Sequence, residues 1–197
     1  MLTTLKNAFK IKEIRQKLFF TFAMMVVIRI GSQLPVPGID RAYFASWFNQ
    51  QVGSAASFID AITGGSFVNM SILALGINPY ITSSIIMQLL TIAIPKLEEI
   101  QKDGEDGRKK IASITRYVTI ILAIIQASAT VVGLGNQGLL LHFGIISIIT
   151  AIAAMTAGSA FLMWIGERIT EKGVGNGISI VLVINIISRL PSDINTL

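Results

Sequence analysis

Between Met70 and Ile94 the chain carries no formal charge, and Gly76-Ile77-Asn78-Pro79-Tyr80-Ile81 interrupts this apolar run with two helix breakers. About 20 apolar residues cross the hydrocarbon core of a bilayer as a helix. Proline lacks a backbone donor and biases the preceding Asn78 away from helical dihedrals. Hydrocarbon cannot solvate the backbone groups freed by such a break, so the break must lie against protein or a water-filled cavity. A break at mid-membrane points to a lined passage or a binding site. A kinked span in an ordinary bundle is the alternative, and the run by itself leaves both open.

The rest of the chain fits a membrane class. It is 52% hydrophobic and only 14% charged, with a mean hydropathy of +0.69, whereas soluble domains carry roughly a quarter charged residues. The absence of cysteine excludes disulfides, thiolate chemistry and Cys-ligated metals, and leaves the compartment open. The net charge of +5 comes from cations placed between apolar runs rather than along one patch. They read as topology signals and as contacts for anionic headgroups, not as a nucleic-acid footprint.

Five spans are expected: 18–34, 70–94, 117–135, 143–166 and 174–190. The first is preceded by Lys6, Lys10, Lys12, Arg15 and Lys17, like a signal peptide, but it is longer than a usual signal core and ends at Pro35-Val36-Pro37-Gly38 without a small-residue cleavage site. It is read as a retained span. The fifth has only Ile178 to Leu190 as its apolar part and must borrow length from Val174-Gly175-Asn176-Gly177 or lie partly buried in protein. With five cations before span one, six between spans two and three, and two between spans four and five, thirteen face only Arg41 and Arg189 on the other side. That asymmetry places the N-terminus in the cytoplasm and Leu197 outside.

Ser57 to Gly65 offers an N-cap serine, about two helical turns and a glycine pair as a stop. It is too short to span, so it is either re-entrant or a plain external loop helix. No catalytic or metal signature is present: there is no H-E-x-x-H, Walker A or G-x-S-x-G pattern, and His142 stands alone in an expected external turn. No catalytic residue, metal or cofactor is expected. Gly173-Val174-Gly175-Asn176-Gly177 lacks the preceding strand that a phosphate loop needs. Arg29 is the only charge expected deep in a span, where it either serves function or pairs or snorkels.

Ile77 and Ile81 share a helix face at a spacing of four, and Ile178 and Leu182 repeat that spacing. Aliphatic side chains that narrow an aqueous path can gate it by dewetting; packing against lipid is the alternative. A solute transporter would place polar substrate groups at the break. An intramembrane enzyme would need paired acids or a Ser/His set, and only Arg29 is charged deep within the spans. Lys96 to Arg116 is expected to be a cytoplasmic loop in which Arg108, Lys109 and Lys110 cluster beside span three. The cluster is either a solvated topology signal or a salt-sensitive dock for headgroups, ribosomal RNA or an acidic partner.

Four blocks of this sequence, taken in order, resemble the SecY family, the channel subunits of the bacterial Sec protein translocon. They are Pro35-Val36-Pro37-Gly38-Ile39-Asp40, Ala74-Leu75-Gly76-Ile77-Asn78-Pro79-Tyr80-Ile81, Asp106-Gly107-Arg108-Lys109-Lys110-Ile111 and the long stretch Trp164 to Ile180. The resemblance implies an all-α membrane protein whose five transmembrane helices form one half of an inverted-repeat, ten-helix channel with a short re-entrant plug helix. It implies a pore ring shared by Ile77, Ile81, Ile178 and Leu182, the last a position where relatives often carry isoleucine. The plug would comprise Phe58, Ile59, Asp60, Ala61, Ile62, Thr63, Gly64 and Gly65, within a segment of about 57–69. Spans two and three would flank a lateral gate, with Thr82, Gln88 and Gln126 as candidates, Gln88 and Gln126 as members of a polar cluster or of simple interhelical hydrogen bonds. Arg108, Lys109 and Lys110 would be cytoplasmic contacts. The partners implied are the SecE and SecG subunits, the SecA motor or a translating ribosome, signal peptides and nascent chains, anionic lipids, and a C-terminal half of the same channel. This sequence stops after span five, so a half on its own is expected to seal and translocate nothing.

Overall fold

The computed structural model describes residues 11–51, 62–138 and 144–188. Seven helices are described: α1 (Lys12–Gly31), α2 (Arg41–Gln51), α3 (Asn78–Ala93), α4 (Pro95–Lys102), α5 (Gly104–Asn136), α6 (Ile145–Lys172) and α7 (Gly177–Ile187). Among the described residues the only β pairing is an isolated bridge between Pro35 and Ser71.

The run from Met70 to Ile94 is not one kinked helix. Residues 64–77 form successive turns, and α3 starts only at Asn78. Gly76 has a φ of +63° and Met70 one of +41°, values that end helical propagation, and Pro79 occupies the first turn of α3, where its missing donor costs nothing. The break therefore forms the start of the helix rather than its middle. From Met70 to Ile77 the turn segment is buried except for partly exposed Ile72, and it is hydrogen-bonded to protein. The Val36 amide donates to the Met70 carbonyl at 2.9 Å and the Ile72 amide to the Leu34 carbonyl at 2.9 Å, and Val36 and Ile39 share a buried cluster with Ala74 and Leu75.

Residues 96–116 are helical, in α4 and the first three turns of α5. Glu105 and Asp106 lie in the first turn of α5, where acidic side chains complement the helix N-terminus. The Ile94 backbone is extended ahead of Pro95, and α4 turns away from α3 by 102°.

By length and composition α5 and α6 can each cross a membrane, and α3 with α4 would make a third only across that bend. Fewer unbroken spans thus stand among the described residues than the five expected. The 20 residues of α1 include Lys12, Glu13, Arg15, Lys17 and Arg29, and the 11 residues of α7 rise only about 16 Å. Two buried clusters organise the helices. One joins Val36, Ile39, Phe44, Phe48, Met70, Ala74 and Leu75 to Ala127, Val131 and Leu134 of α5 and Ala151 and Met155 of α6. The other joins Ile28 of α1, Leu73 and Ile77 to Leu162, Ile165 and Ile169 of α6 and Val181 of α7. The turn segment contributes to both, so it is the keystone between them.

Candidate functional site: an aliphatic constriction

The four aliphatic residues at helical spacing all belong to or border one buried cluster. Ile77, 2% exposed, belongs to the second cluster, and Ile81, Ile178 and Leu182 pack against it from partly exposed positions. Ile77 is the residue preceding α3, and the Ile81 amide donates to its carbonyl at 3.1 Å. A Cβ on Gly166 of α6 would lie 3.5 Å from Ile77 Cδ1 and 3.7 Å from Ile178 Cγ1, so the residues at the starts of α3 and α7 both lie against that glycine.

How α7 reaches that position follows from the turn before it. The Asn176 side-chain oxygen accepts hydrogen bonds from the amides of Ile178 at 3.0 Å and Ser179 at 3.4 Å, satisfying donors that a helix start leaves open. Thr170 Oγ1 accepts from the Gly177 amide at 2.9 Å and donates to the Gly166 carbonyl at 2.9 Å. Thr21 Oγ1 on α1 accepts from the Val174 amide at 3.2 Å and donates to the Lys17 carbonyl at 2.9 Å. A Cβ on Gly177 would lie 1.9 Å from the Gly166 carbonyl oxygen, so the α6 and α7 backbones touch there. The glycine-rich stretch is thus a pinned corner that aims Ile178 and Leu182, not a phosphate cradle. An Asn before an apolar run is a legible cap signal; Thr21, 153 residues from its partner Val174, carries no sequence signal.

Next to Gly76 lies the C-terminal part of the expected plug, Thr63 Cγ2 coming within 3.6 Å of where a Cβ on Gly76 would stand. Ile62 and Thr63 are helical, and Gly64 and Gly65 follow with φ of +66° and +81°; Phe58, Ile59, Asp60 and Ala61 lie outside the described residues. Arg29 is not deep within its helix. It lies in the last turn of α1, where a cation complements the helix C-terminus, and its Nη1 donates to the Gly64 carbonyl at 3.5 Å. His142 lies outside the described residues.

The gate candidates are not brought together. Ser83 Oγ donates to the Thr115 carbonyl at 2.9 Å, and Gln88 lines a cavity of about 200 Å³ with Gln101, Arg108 and Ala112. Gln126 stands 14 residues beyond Ala112 along α5, about 21 Å up the helix axis. Thr82 is exposed on α3. Arg108, Lys109 and Lys110 are exposed on the first turns of α5, with Arg108 shared between the cavity and a second groove that also holds Lys109, Arg116 and Glu171. Absent from the sequence reading is a cross-helix ion pair, Arg116 Nε to Glu167 Oε1 at 2.8 Å, which ties α5 to α6. Next to it Arg168 binds Glu171 at 2.8 Å and lies 5.7 Å over the Trp164 ring.

A family model described as SecY matches residues 71–197. The chain is 46% identical over 186 residues to "Protein translocase subunit SecY" of Escherichia coli strain K12, covering 92% of this chain and 42% of that protein. It is 45% identical over 198 residues to the protein of the same name from Halalkalibacterium halodurans, covering 99% of this chain and 45% of the other. The chain thus spans about half the length of the curated relatives it matches. Its fold is similar to a solved structure described as "The structure of a protein conducting channel", with a TM-score of 0.63 at 22% identity, covering 91% of this chain and 38% of that one. A Sec61 structure from a canine ribosome-channel complex of the endoplasmic reticulum gives the same TM-score, identity and coverage.

Proposed function

Since this chain belongs to the SecY family, we propose that it forms the N-terminal half of a protein-conducting channel that passes unfolded secretory polypeptides across the bacterial inner membrane. The observation that supports this reading is that Ile77 belongs to one buried cluster against which Ile81, Ile178 and Leu182 pack, with Ile77 and Ile178 both beside Gly166. An aliphatic waist contributed by both halves excludes ions by dewetting and binds no particular polypeptide side chain strongly. Residues 58–65 act as the plug, closing the path at rest and leaving it during transport. Thr82 and Gln88 of α3 and Gln126 of α5 contribute to a lateral gate that releases signal sequences and membrane helices into lipid. Because Gln88 and Gln126 are separated along the helices, each acts at its own level of that gate. The N-terminus and the start of α5 are cytoplasmic, with Arg108, Lys109 and Lys110 offered to anionic lipid, a SecA-type motor or a ribosome. SecE- and SecG-type subunits and a C-terminal half complete the assembly. The role is transport and involves no catalysis by this chain.

The test is ion conductance of the full-length channel, purified with its partner subunits and reconstituted. Replacing Ile81 by Gly or Ile178 by Asn widens the waist or hydrates it, so the resting channel should leak ions severalfold above the parent. Parental conductance in both variants removes these residues from the seal.

A further inference from the structure

We propose that Arg116 and Glu167 are positioning residues whose ion pair keeps α6 against α5, so that Gly166 seats Ile77 and Ile178 and the waist stays closed at rest. This rests on the reading of those isoleucines as part of the waist. Three ties meet at adjacent residues. Ser83 Oγ on α3 donates to the Thr115 carbonyl of α5 at 2.9 Å. Arg116, the next residue of α5, donates from Nε to Glu167 Oε1 of α6 at 2.8 Å. Gly166 precedes Glu167, and a Cβ on it would lie 3.5 Å from Ile77 Cδ1 and 3.7 Å from Ile178 Cγ1, ordinary contact distances. The ties close a path from α3 through α5 and α6, back to the residue that precedes α3 and to the start of α7.

The ion pair is the link in this path that fixes α5 to α6. Elsewhere these two helices share the buried residues Ala127, Val131, Leu134, Ala151 and Met155. Ala127 stands 11 residues beyond Arg116, about 17 Å along the axis, so that packing acts far from Gly166. The Glu167 side chain is 19% exposed and that of Arg116 46%, so water competes less for this pair than for a fully solvated one. Neighbouring Arg168 is held by Glu171 at 2.8 Å, which leaves Glu167 to Arg116. Spacing matters here because dispersion is short-ranged: a gap of about 0.5–1 Å forfeits roughly a quarter to a half of a contact. A small outward movement of α6 at Gly166 therefore loosens Ile77 and Ile178 together.

The experiment uses the full-length channel with its partner subunits in proteoliposomes. It compares Arg116→Gln, Glu167→Gln, the double variant and Arg116→Lys, with Ile178→Asn as the control for the waist. The readouts are resting ion conductance and the distance between nitroxide labels at Ser113 on α5 and Lys172 on α6, both exposed. Each single Gln variant should raise conductance severalfold and lengthen that distance. The double variant should leak no more than either single one, since removing the second charge breaks nothing further. Arg116→Lys, which keeps the charge without the guanidinium fork, should give a smaller rise, and it carries the comparison if Glu167→Gln does not assemble. A double variant whose leak multiplies the two single effects would show independent action, and overturns the proposal. A leak at unchanged distance would mean that the charges act on the water path rather than on helix spacing, and also overturns it. Parental conductance in the Arg116 and Glu167 variants while Ile178→Asn leaks overturns the positioning role and leaves the waist standing. Parental conductance in every variant, Ile178→Asn included, removes the waist reading, and the role given to the pair goes with it.

Discussion

Asn176, Thr170 and Thr21 each contribute one side-chain oxygen to the corner before α7, and the direction of Ile178 and Leu182 depends on that corner. Loss of a helix cap costs about 1 kcal/mol. Asn176→Ala should therefore lower the thermal unfolding midpoint of the detergent-solubilised channel, while Asn176→Asp, which keeps an acceptor, should stay near the parent. Equal midpoints for both variants would show that the cap does not hold α7. The sequence carried part of this scale and not the rest. Asn176 ahead of Gly177 and an apolar run is a local signal, readable from propensity. The grip of Thr21 on Val174 exists only because α1 packs beside the α6–α7 corner, and no local pattern encodes it. Arg29 shows the same limit: its neighbours in sequence suggested a deep charge, while its partner Gly64 lies 35 residues away.

Elements were legible where periodicity and length agree, as in α5 and α6, and less so where backbone geometry decides. The stretch 70–77 is as apolar as a span, yet it folds as turns because Met70 and Gly76 take positive φ and because Leu34 and Val36 offer it backbone partners. Conversely, 96–116 reads as a charged loop but is helical, since charged residues are good helix formers and tolerate exposure. Close approach of α6 and α7 predicts that Gly177→Ala, whose Cβ would meet the Gly166 carbonyl, forces the helices apart at a cost of roughly 1–3 kcal/mol. Reduced thermal stability together with a leaky resting channel is the expected result; unchanged behaviour would mean that the corner is not tightly packed. The helical placement of the basic cluster also sharpens its test. Arg108→Glu with Lys109→Glu should weaken binding of a motor or ribosome at low salt, with little difference left at high salt. Glu98→Gln with Glu99→Gln on α4 should have a smaller effect. Equal binding by both pairs at every salt concentration would confine the cluster to topology.

For the molecule as a whole, family and class were legible because the quoted blocks recur in order and lie at the structural joints: the loop after α1, the start of α3, the start of α5 and the α6–α7 corner. Span count was less legible, since α3 is shortened by the turns before it and α7 is short. Topology can be measured directly. Single cysteines at Ser46 and Lys109 of the full-length channel should react with an impermeant thiol reagent from opposite sides of the membrane, and same-side labelling would refute the assigned orientation. The central claim is that a moving polypeptide passes the Ile77, Ile81, Ile178 and Leu182 waist. It is tested most directly by placing a photo-crosslinking residue at Ile81 or Ile178 of the full-length channel and arresting a secretory precursor in mid-transit. The account predicts strong crosslinks to the precursor from both sites and few from Ile149, which is 60% exposed on α6. Crosslinks from Ile149 with none from Ile81 or Ile178 would contradict it.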